Sequence, residues 1–519
     1  MFKDLTEKDI DFIMSCYNDA SLKSEEKELK IASLYEISQR TVRKWFQKLK
    51  LTKPNKKDND IIIQAKNRVL HKGNKIVIIS SAQNATSVNR GLWQNMLAYA
   101  EYIGAEIAII PIRYRNPTSI DCKKDDEWWS PEVVPYLSFN RQKLNSSVTL
   151  LGDVKTQPTN ANPINGFEGL CGEGSCIIAH PRVQMKALPT LSNTPKMIFT
   201  TGSVTKSNYT DSRIGKLGDF HHTFGFCIVE IVSDTEYYIR QVTALANGNF
   251  YDMDYYVSDG NVTRSSNKPA IILGDIHYPS IDKNVEKITF DNILKRFETK
   301  YIVMHDPCDI YSINHHEESD IVKRFQKSME NNDDVLSELN AFVEWMDKSF
   351  EDKSKIVIVK SNHSDFIEKW VKENTQLKNV QPKNLLAYMD FLHVMVKSKS
   401  DIGVLGQFIL GRFPDVKVLG ENESFKVLGW ELGQHGHIGL GGSKGNSTQY
   451  RRLNSKIICG HSHSPVRQDG FLSVGTNSLL RMGYNVGLSN WVHADVIIHP
   501  DGKAQHLFLI GKNGEYSSI

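Results

Sequence analysis

Residues 456–465 read KIICGHSHSP. Lys456 to Cys459 is a short apolar run of strand character that runs into Gly460, and His461 and His463 follow one residue apart. In an extended segment residues i and i+2 point to the same side, so the two imidazoles are expected to project together. Imidazole is a common ligand for transition metals. The plainer alternative is a turn carrying two surface histidines between Gly460 and Pro465. Two histidines alone do not choose between these readings; the rest of the chain has to supply carboxylates and more imidazoles.

It supplies them in a repeated device, a short apolar strand that ends in candidate ligands. KPAIILGDIH (268–277) ends in Asp275 and His277, and TKYIVMHDPCD (299–309) ends in Asp306 with Asp309 behind it. SKIVIVKSNHSD (354–365) offers Asn362 and His363, and FKVLGWELGQHGH (425–437) offers His435 and His437. Ligands at the C-terminal ends of several strands of one α/β sheet converge in space. The set is what a two-metal phosphoesterase requires. A carboxylate bridges two cations, imidazoles and other oxygens complete their shells, and an acidified water attacks phosphorus in line with the leaving oxygen. A histidine outside the metal shells then steadies charge or protonates the leaving group.

In order and spacing, Asp275-x-His277, Asp306, Asn362-His363, His435 and Gly460-His461-x-His463 resemble the five motifs of the calcineurin-like metallophosphoesterases, over about residues 268–510. The resemblance implies that Asp275, His277 and His463 bind one metal, that Asp306 bridges, and that Asn362, His435 and His461 bind the second. It makes His363 the free catalytic histidine, with Asp306 the other catalytic residue, and it implies two divalent ions, Mn²⁺ as the usual activator, with Fe or Zn also suited to such ligands. The chain departs from the family at His305 and Ser361, where glycine is usual, and at Ser364, where an acid is frequent, with Asp365 following. His435 is preferred over His437 as the fourth-motif ligand because glycine follows it. His315, His316 and Tyr278 are near the motifs but carry no assigned role, and the two histidines are expected at a helix start.

Working back toward the N-terminus, the chain divides into a helix-turn-helix head (1–55), a linker (56–73), an α/β unit of unassigned role (74–262) and the metallophosphoesterase domain (263–519). The expected class is α/β: a four-layer metallophosphoesterase β-sandwich flanked by helices, a middle α/β domain, and the helical head. In the head, Ile31, Ala32, Leu34 and Tyr35 form one apolar face, Glu36-Ile37 a break, and Ser38 an N-cap. Val42, Trp45, Phe46 and Leu49 then recur at helical spacing, leaving Gln39, Arg40, Arg43, Lys44 and Gln47 outward as candidate DNA contacts. Residues 31–57 carry eight Lys or Arg against one acid, whereas the preceding thirty residues carry five Lys against eight acids. A solvated docking module is the alternative.

In the middle unit, strand-like runs at 74–82 and 105–114 flank an amphipathic helix at 91–104, a βαβ pattern. Further strands are expected at 147–152, 196–202 and 226–233. The first strand–helix turn lacks a phosphate-binding glycine spacing. Trp128-Trp129 is read as packing, and His221-His222 is left without a reading. Helical insertions at 319–350 and 382–398 separate the core strands. The glycine-rich segment 437–452 brings Lys444, Arg451 and Arg452 as candidate phosphate contacts, with a solvated loop as the alternative.

Across 519 residues, 40% hydrophobic and 24% charged content is that of a globular protein. No apolar run is long enough to span a membrane, and the polar N-terminus does not resemble a secretory signal, so a cytoplasmic setting without a membrane partner is expected. Seven scattered cysteines fit reduced thiols, with Cys171 and Cys176 read as structural. Net charge is only +3, so any nucleic-acid affinity has to be local. Oligomeric state is not legible. The fold does not choose the phosphoester. The head favours a metal-dependent DNA nuclease, with a bridging hydroxide attacking the phosphodiester. A nucleotide or protein phosphatase with a helical docking head is the second reading, and a DNA-binding regulator with an inactive metal domain the third. The layout, with residues 475–498, also resembles the early DNA-degrading, DNA-transfer proteins of some tailed phages, which would place it in a bacterial host's cytoplasm.

Overall fold

The computed structural model describes residues 6–18, 24–49, 69–70, 75–116, 128–192, 194–317, 319–398, 401–453, 455–483 and 485–510. Most of the linker read at 56–73 lies outside them. The chain is a mixed α/β protein. It begins with three helices, α1 (Glu7–Asn18), α2 (Ser24–Leu34) and α3 (Gln39–Lys48). Ile13, Cys16, Ile31, Ala32, Val42, Trp45 and Phe46 close their common core. Ser38 caps α3 by accepting the Thr41 N–H at 3.2 Å. Leu34 does not join the core; it is 60% exposed, because α2 ends there and the chain turns through Glu36 at φ 49°.

The middle unit opens with β1 (Ile76–Gln83), α4 (Arg90–Ile103) and β2 (Glu106–Ile112), and β1 and β2 pair in parallel. Next come β3 (Arg141–Lys143), β4 (Val148–Leu151), β5 (Ser175–Ile178), β6 (Gln184–Leu188) and β7 (Lys196–Thr200). After α5 (Arg213–His221), β8 (Gly225–Ile231) adds antiparallel to β1 and β9 (Tyr237–Thr243) to β8. A three-stranded sheet, β10 (Phe250–Asp252), β11 (Tyr255–Ser258) and β12 (Asn261–Arg264), follows.

The last half contributes β13 (Asn267–Ile272), β14 (Glu298–Met304), β15 (Ile356–Ile358) and β16 (Lys417–Val418), parallel neighbours in that order. Between them lie α6 (Ile321–Met329), α7 (Val335–Ser349), α8 (Phe366–Glu373), α9 (Leu385–Lys397) and α10 (Gly403–Arg412). The expected helical insertion at 319–350 is two helices, capped by Asp320 and Asp334 and separated at Asn331, which takes φ 55°. The chain ends with β17 (Lys426–Val427), β18 (Trp430–Glu431), β19 (Lys456–Cys459), β20 (Val466–Gln468), β21 (Phe471–Ser473), β22 (Ala494–Ile498) and β23 (Ala504–Phe508).

These strands make a six-stranded sheet, β16-β15-β14-β13-β22-β23, and a ten-stranded sheet, β17-β18-β19-β21-β20-β6-β7-β5-β4-β3. The seam between β20 and β6, with Arg467 opposite Met185, joins strands from both sides of position 262/263. One sheet therefore spans the division drawn from sequence. Alternation explains the layering. On β13, Ala270 and Ile272 face the ten-stranded sheet through Trp430, Ile458 and Leu472. Ile271, between them, faces the helices through Phe342, Ile367 and Leu405. Such strands are apolar on both sides, as buried parallel strands are. The four-stranded sheet packs on the other half of the ten-stranded sheet through Val77, Ile110, Ile177 and Phe199.

Trp129 is buried as expected, donating its indole N–H to the Ala82 carbonyl at 3.0 Å. The expectation of reduced cysteines is corrected at one pair: Cys171 and Cys176, with Cα atoms 5.1 Å apart, are disulfide-bonded. Cys227, Cys308 and Cys459 are free and buried. Among the described residues no helix is long and apolar enough to cross a membrane.

Candidate metal centre

Strands β13, β14 and β15 are parallel neighbours, so the segments that follow them leave the same edge of the sheet side by side. They carry Asp275 and His277, then His305, Asp306 and Asp309, then Asn362 and His363. The facing sheet sends His435 beyond β18 and His461 and His463 beyond β19. Because the two sheets pack face to face, the two groups of loops meet.

The geometry is tight. Asp275 Oδ2 lies 3.1 Å from His463 Nε2 and accepts the His461 main-chain N–H at 2.7 Å. His277 Nε2 is 2.9 Å from His463 Nε2 and 3.7 Å from Asp306 Oδ2. His435 Nε2 is 3.0 Å from the same Asp306 oxygen. His461 Nδ1 faces Asn362 Oδ1 at 3.0 Å. Donor atoms of Asp275, His277, Asp306 and His463, all buried residues, lie within 4.8 Å of one another. His435 and His461 join them less closely, touching through Asp306 and Asn362, with their rings 5.2 Å apart.

Do these residues fit a metal ion? Asp275 Oδ1 and Asp306 Oδ1 are buried without a hydrogen-bond partner, which is costly unless something else satisfies them. The Nε2 atoms of His277 and His463 face each other at 2.9 Å, close enough for both to turn to one cation. Buried carboxylates and imidazoles in this arrangement can hold a metal ion.

Backbone strain marks the same place. His277, Asp306, His461 and His463 all take positive φ, at 51°, 39°, 71° and 54°. Non-glycine residues rarely adopt this region, and it concentrates where function over-determines the backbone. It also corrects the reading of GHSH as extended chain. Strand β19 ends at Cys459, and two left-handed residues deliver the imidazoles to different partners. Gly460 does more than turn: a Cβ there would sit 2.1 Å from Asp275 Oδ1 and 3.0 Å from the His305 side chain. His305 stands where the resembled family has glycine, and its ring fits because Gly460 has no side chain.

Electrostatics follow from burial and from the histidines. Burial raises the Asp275 carboxyl, but the hydrogen bond from His463 and the His435 charge overcome this and bring it to about 2. Burial likewise opposes ionisation of Asp306, and His435 and His363 hold it well below the usual carboxylate range. Desolvation pushes His461 and His305 down to about 4 and lowers His463, so these rings are neutral, lone-pair donors near pH 7. His363 behaves oppositely: burial works against its charge, yet Asp306 and Asp309 raise it to about 9. Asp309 was legible only as an acid behind Asp306. Its Oδ1 lies 3.0 Å from His277 Nδ1 and 3.1 Å from His363 Nδ1, fixing both rings. The Asp-x-x-Asp spacing after β14 was the available signal.

The remaining candidates lie elsewhere. Ser361 and Ser364 bond to each other at 3.0 Å, and Asp365 pairs with Lys360 at 3.0 Å. His315 and His316 precede α6 in a turn and pack edge-on against Phe366; they do not start the helix. Tyr278 stacks on Trp345. Lys444 and Arg452 are exposed, and Arg451 is bound to Asp469 at 2.7 Å. His221 also approaches Asp469, at 3.4 Å, while His222 bonds Tyr209 and the Thr205 carbonyl. On α3, Arg40, Arg43, Lys44 and Gln47 are exposed and Gln39 is half-buried. Arg43 makes a bidentate contact with Glu28, at 3.0 and 2.9 Å from its Nε.

Over 470 residues, covering 86% of this chain and 83% of the other, the sequence is 27% identical to Protein A1 of Escherichia phage T5. No family model matches the chain, and no solved structure matches it.

Proposed function

We propose that the chain is a metal-dependent deoxyribonuclease whose last half is a sandwich of the calcineurin-like metallophosphoesterase type. The observation that carries this reading is the meeting of Asp275, His277, Asp306, Asn362, His435, His461 and His463 at adjoining strand ends, with His363 beside them. Asp275, His277 and His463 would hold one divalent ion and Asn362, His435 and His461 a second, with Asp306 between them. When bound, such ions supply Lewis acidity to phosphoryl oxygens and acidify water. The ligand types suit Mn²⁺, Fe or Zn.

The protein's own groups supply the rest. Asp309 orients His277 through Nδ1, leaving Nε2 toward the cluster, and orients His363 in the same way. His363 is 13% exposed at its side chain and held at Nδ1 by Asp309, so it is placed to act as the acid that protonates the departing oxygen. Buried walls keep bulk water from competing for charge at the reacting centre.

DNA as substrate is supported by the exposed basic face of α3, since a tethered DNA-binding head raises the local concentration of phosphodiesters. Similarity to a phage protein supports a phage origin, and with it action in a bacterial host's cytoplasm. A second reading, a nucleotide or protein phosphatase with a docking head, draws on the Arg43–Glu28 pair, which takes one cation out of the DNA-facing set.

Purified protein incubated with plasmid and with p-nitrophenyl phosphate, with and without Mn²⁺, separates the readings. Mn²⁺-dependent plasmid cleavage that disappears in Asp306→Asn is the expected result. Hydrolysis of the small ester alone favours the phosphatase, and inactivity on both leaves a DNA-binding regulator.

A further inference from the structure

The two histidines of HGH (435–437) do not turn the same way. Gly436 between them takes φ 112°, and His435 faces Asp306 whereas His437 faces Glu421, with Nε2 3.8 Å from Oε1. Asp365 completes the group: one donor atom from each of Asp365, Glu421 and His437 lies within 4.8 Å of the others. We propose that Asp365, Glu421 and His437 form a further divalent-cation site, separate from the centre around Asp306.

Four observations carry this. First, both ring nitrogens of His437 are buried without a hydrogen-bond partner, although the ring is only 12% exposed. An imidazole enclosed with neither nitrogen used lacks the partner that buried polar groups normally have. Second, two carboxylates are brought together half-buried, and Lys360, 3.0 Å from Asp365 Oδ1, matches one of the two charges. Glu421 faces the His437 ring. Third, the main chain at His437 is pinned, since its carbonyl accepts the Gly445 N–H at 3.0 Å. A Cβ on Gly445 would sit 2.0 Å from the Gly436 carbonyl, so this close turn depends on glycine. Fourth, the three residues come from three separate segments: the start of α8, the loop beyond β16, and the loop beyond β18.

One imidazole and two carboxylates suit a transition cation such as Mn²⁺ or Zn²⁺ rather than Ca²⁺ or Mg²⁺. Ligand bonds of about 2.0–2.2 Å place neighbouring donors roughly 3–4 Å apart, and the His437–Glu421 distance already meets that. The His437 ring is 5.5 Å from His435 and 6.0 Å from His461, so the site adjoins the first centre across those two rings while using none of its donors.

Counting bound metal tests this on the full chain without reference to activity. The EDTA-stripped protein is dialysed to equilibrium against Mn²⁺, and bound manganese is measured by elemental analysis and by electron paramagnetic resonance. Wild type is expected to hold one ion more than Glu421→Gln and one more than Asp365→Asn, with circular dichroism confirming that each variant is folded. Asp306→Asn is expected to keep the ion that those two variants lose. Equal metal content in wild type and both variants overturns the proposal, as does loss of all manganese in Asp306→Asn. A wild type whose single ion disappears in Glu421→Gln but persists in Asp306→Asn supports this site while removing the dinuclear reading, so the two failures are distinguishable.

Discussion

Replacing Gly460 by alanine isolates what that residue contributes. Its φ is not in the left-handed region, so an alanine meets no backbone penalty there. The penalty is spatial. The new Cβ would lie 2.1 Å from Asp275 Oδ1, where ordinary contact begins at 3.4 Å, so about 1.3 Å of separation has to be found. The Asp275 carboxylate cannot readily supply it. Its other oxygen is held by the His461 N–H at 2.7 Å and by His463 at 3.1 Å, and His305 closes the second side at 3.0 Å. Overpacking of this kind costs roughly 1–3 kcal/mol of stability, read as a lowered urea midpoint in EDTA. The effect on metal is larger, because a ligand set tolerates only about 0.5 Å of error. Mn²⁺ affinity should fall on the order of 100-fold, the upper end of what disturbing a ligand's supports does. The control is Gly470→Ala, whose Cβ meets nothing closer than the Ser455 carbonyl at 3.4 Å; it should bind as wild type does. Isothermal titration with Mn²⁺ on both proteins decides the matter. Wild-type affinity in Gly460→Ala would refute the close-approach argument and return Gly460 to an ordinary turn residue.

His363→Asn should lower turnover by about 10²–10⁴-fold, the range of a lost general acid, while manganese content stays at the wild-type level; loss of metal would remove its assignment as a free histidine. The same variant gives a pH test in metal-free protein. His363 titrates near 9 in the folded state against about 6.5 unfolded, so its stabilisation is complete below pH 6.5 and drains away as pH rises through 9. The span is at most about 3 kcal/mol, and urea midpoints of wild type and variant should converge by pH 10; parallel curves contradict it. On the head, replacing Arg40 and Lys44 together by alanine should reduce the slope of log affinity against log salt by about 2, whereas Arg43→Ala, which breaks the Glu28 contact, should chiefly destabilise α3. DNA binding unchanged in the double variant would exclude α3 as the contact helix.

How much of this was legible follows from range along the chain. The strands flanking the ligands were readable because each is a continuous apolar run closed by a glycine, acid or histidine, and Ser38 announced α3 through local capping chemistry alone. The contact of Arg43 with Glu28 was not legible, since it depends on how α2 crosses α3. Nor was the seam of β20 with β6, which pairs Arg467 with Met185 at a sequence separation of 282; hydrophobic pattern gives strands but not their distant partners. Period-two reasoning placed His461 and His463 on one side of an extended chain and failed there, because it assumes β geometry where the backbone is left-handed at both.

That failure is informative about the site. Local rules give way at four residues of one cluster, His277, Asp306, His461 and His463, and each such conformation costs on the order of 1 kcal/mol. Twelve non-glycine residues among those described take positive φ, and these four, on three separate loops, are the ones whose side chains come together at one place. The surroundings that enforce the strain are identifiable. The His277 N–H bonds the Asp306 carbonyl at 2.8 Å, the His461 N–H bonds Asp275 Oδ2 at 2.7 Å, and the Val492 N–H bonds the His463 carbonyl at 3.1 Å. Each strained residue is thus held by a neighbouring loop, not by its own strand. A fold that holds four disfavoured backbones to gather buried acids and imidazoles, two of whose oxygens then lack partners, is arranged around something those atoms bind.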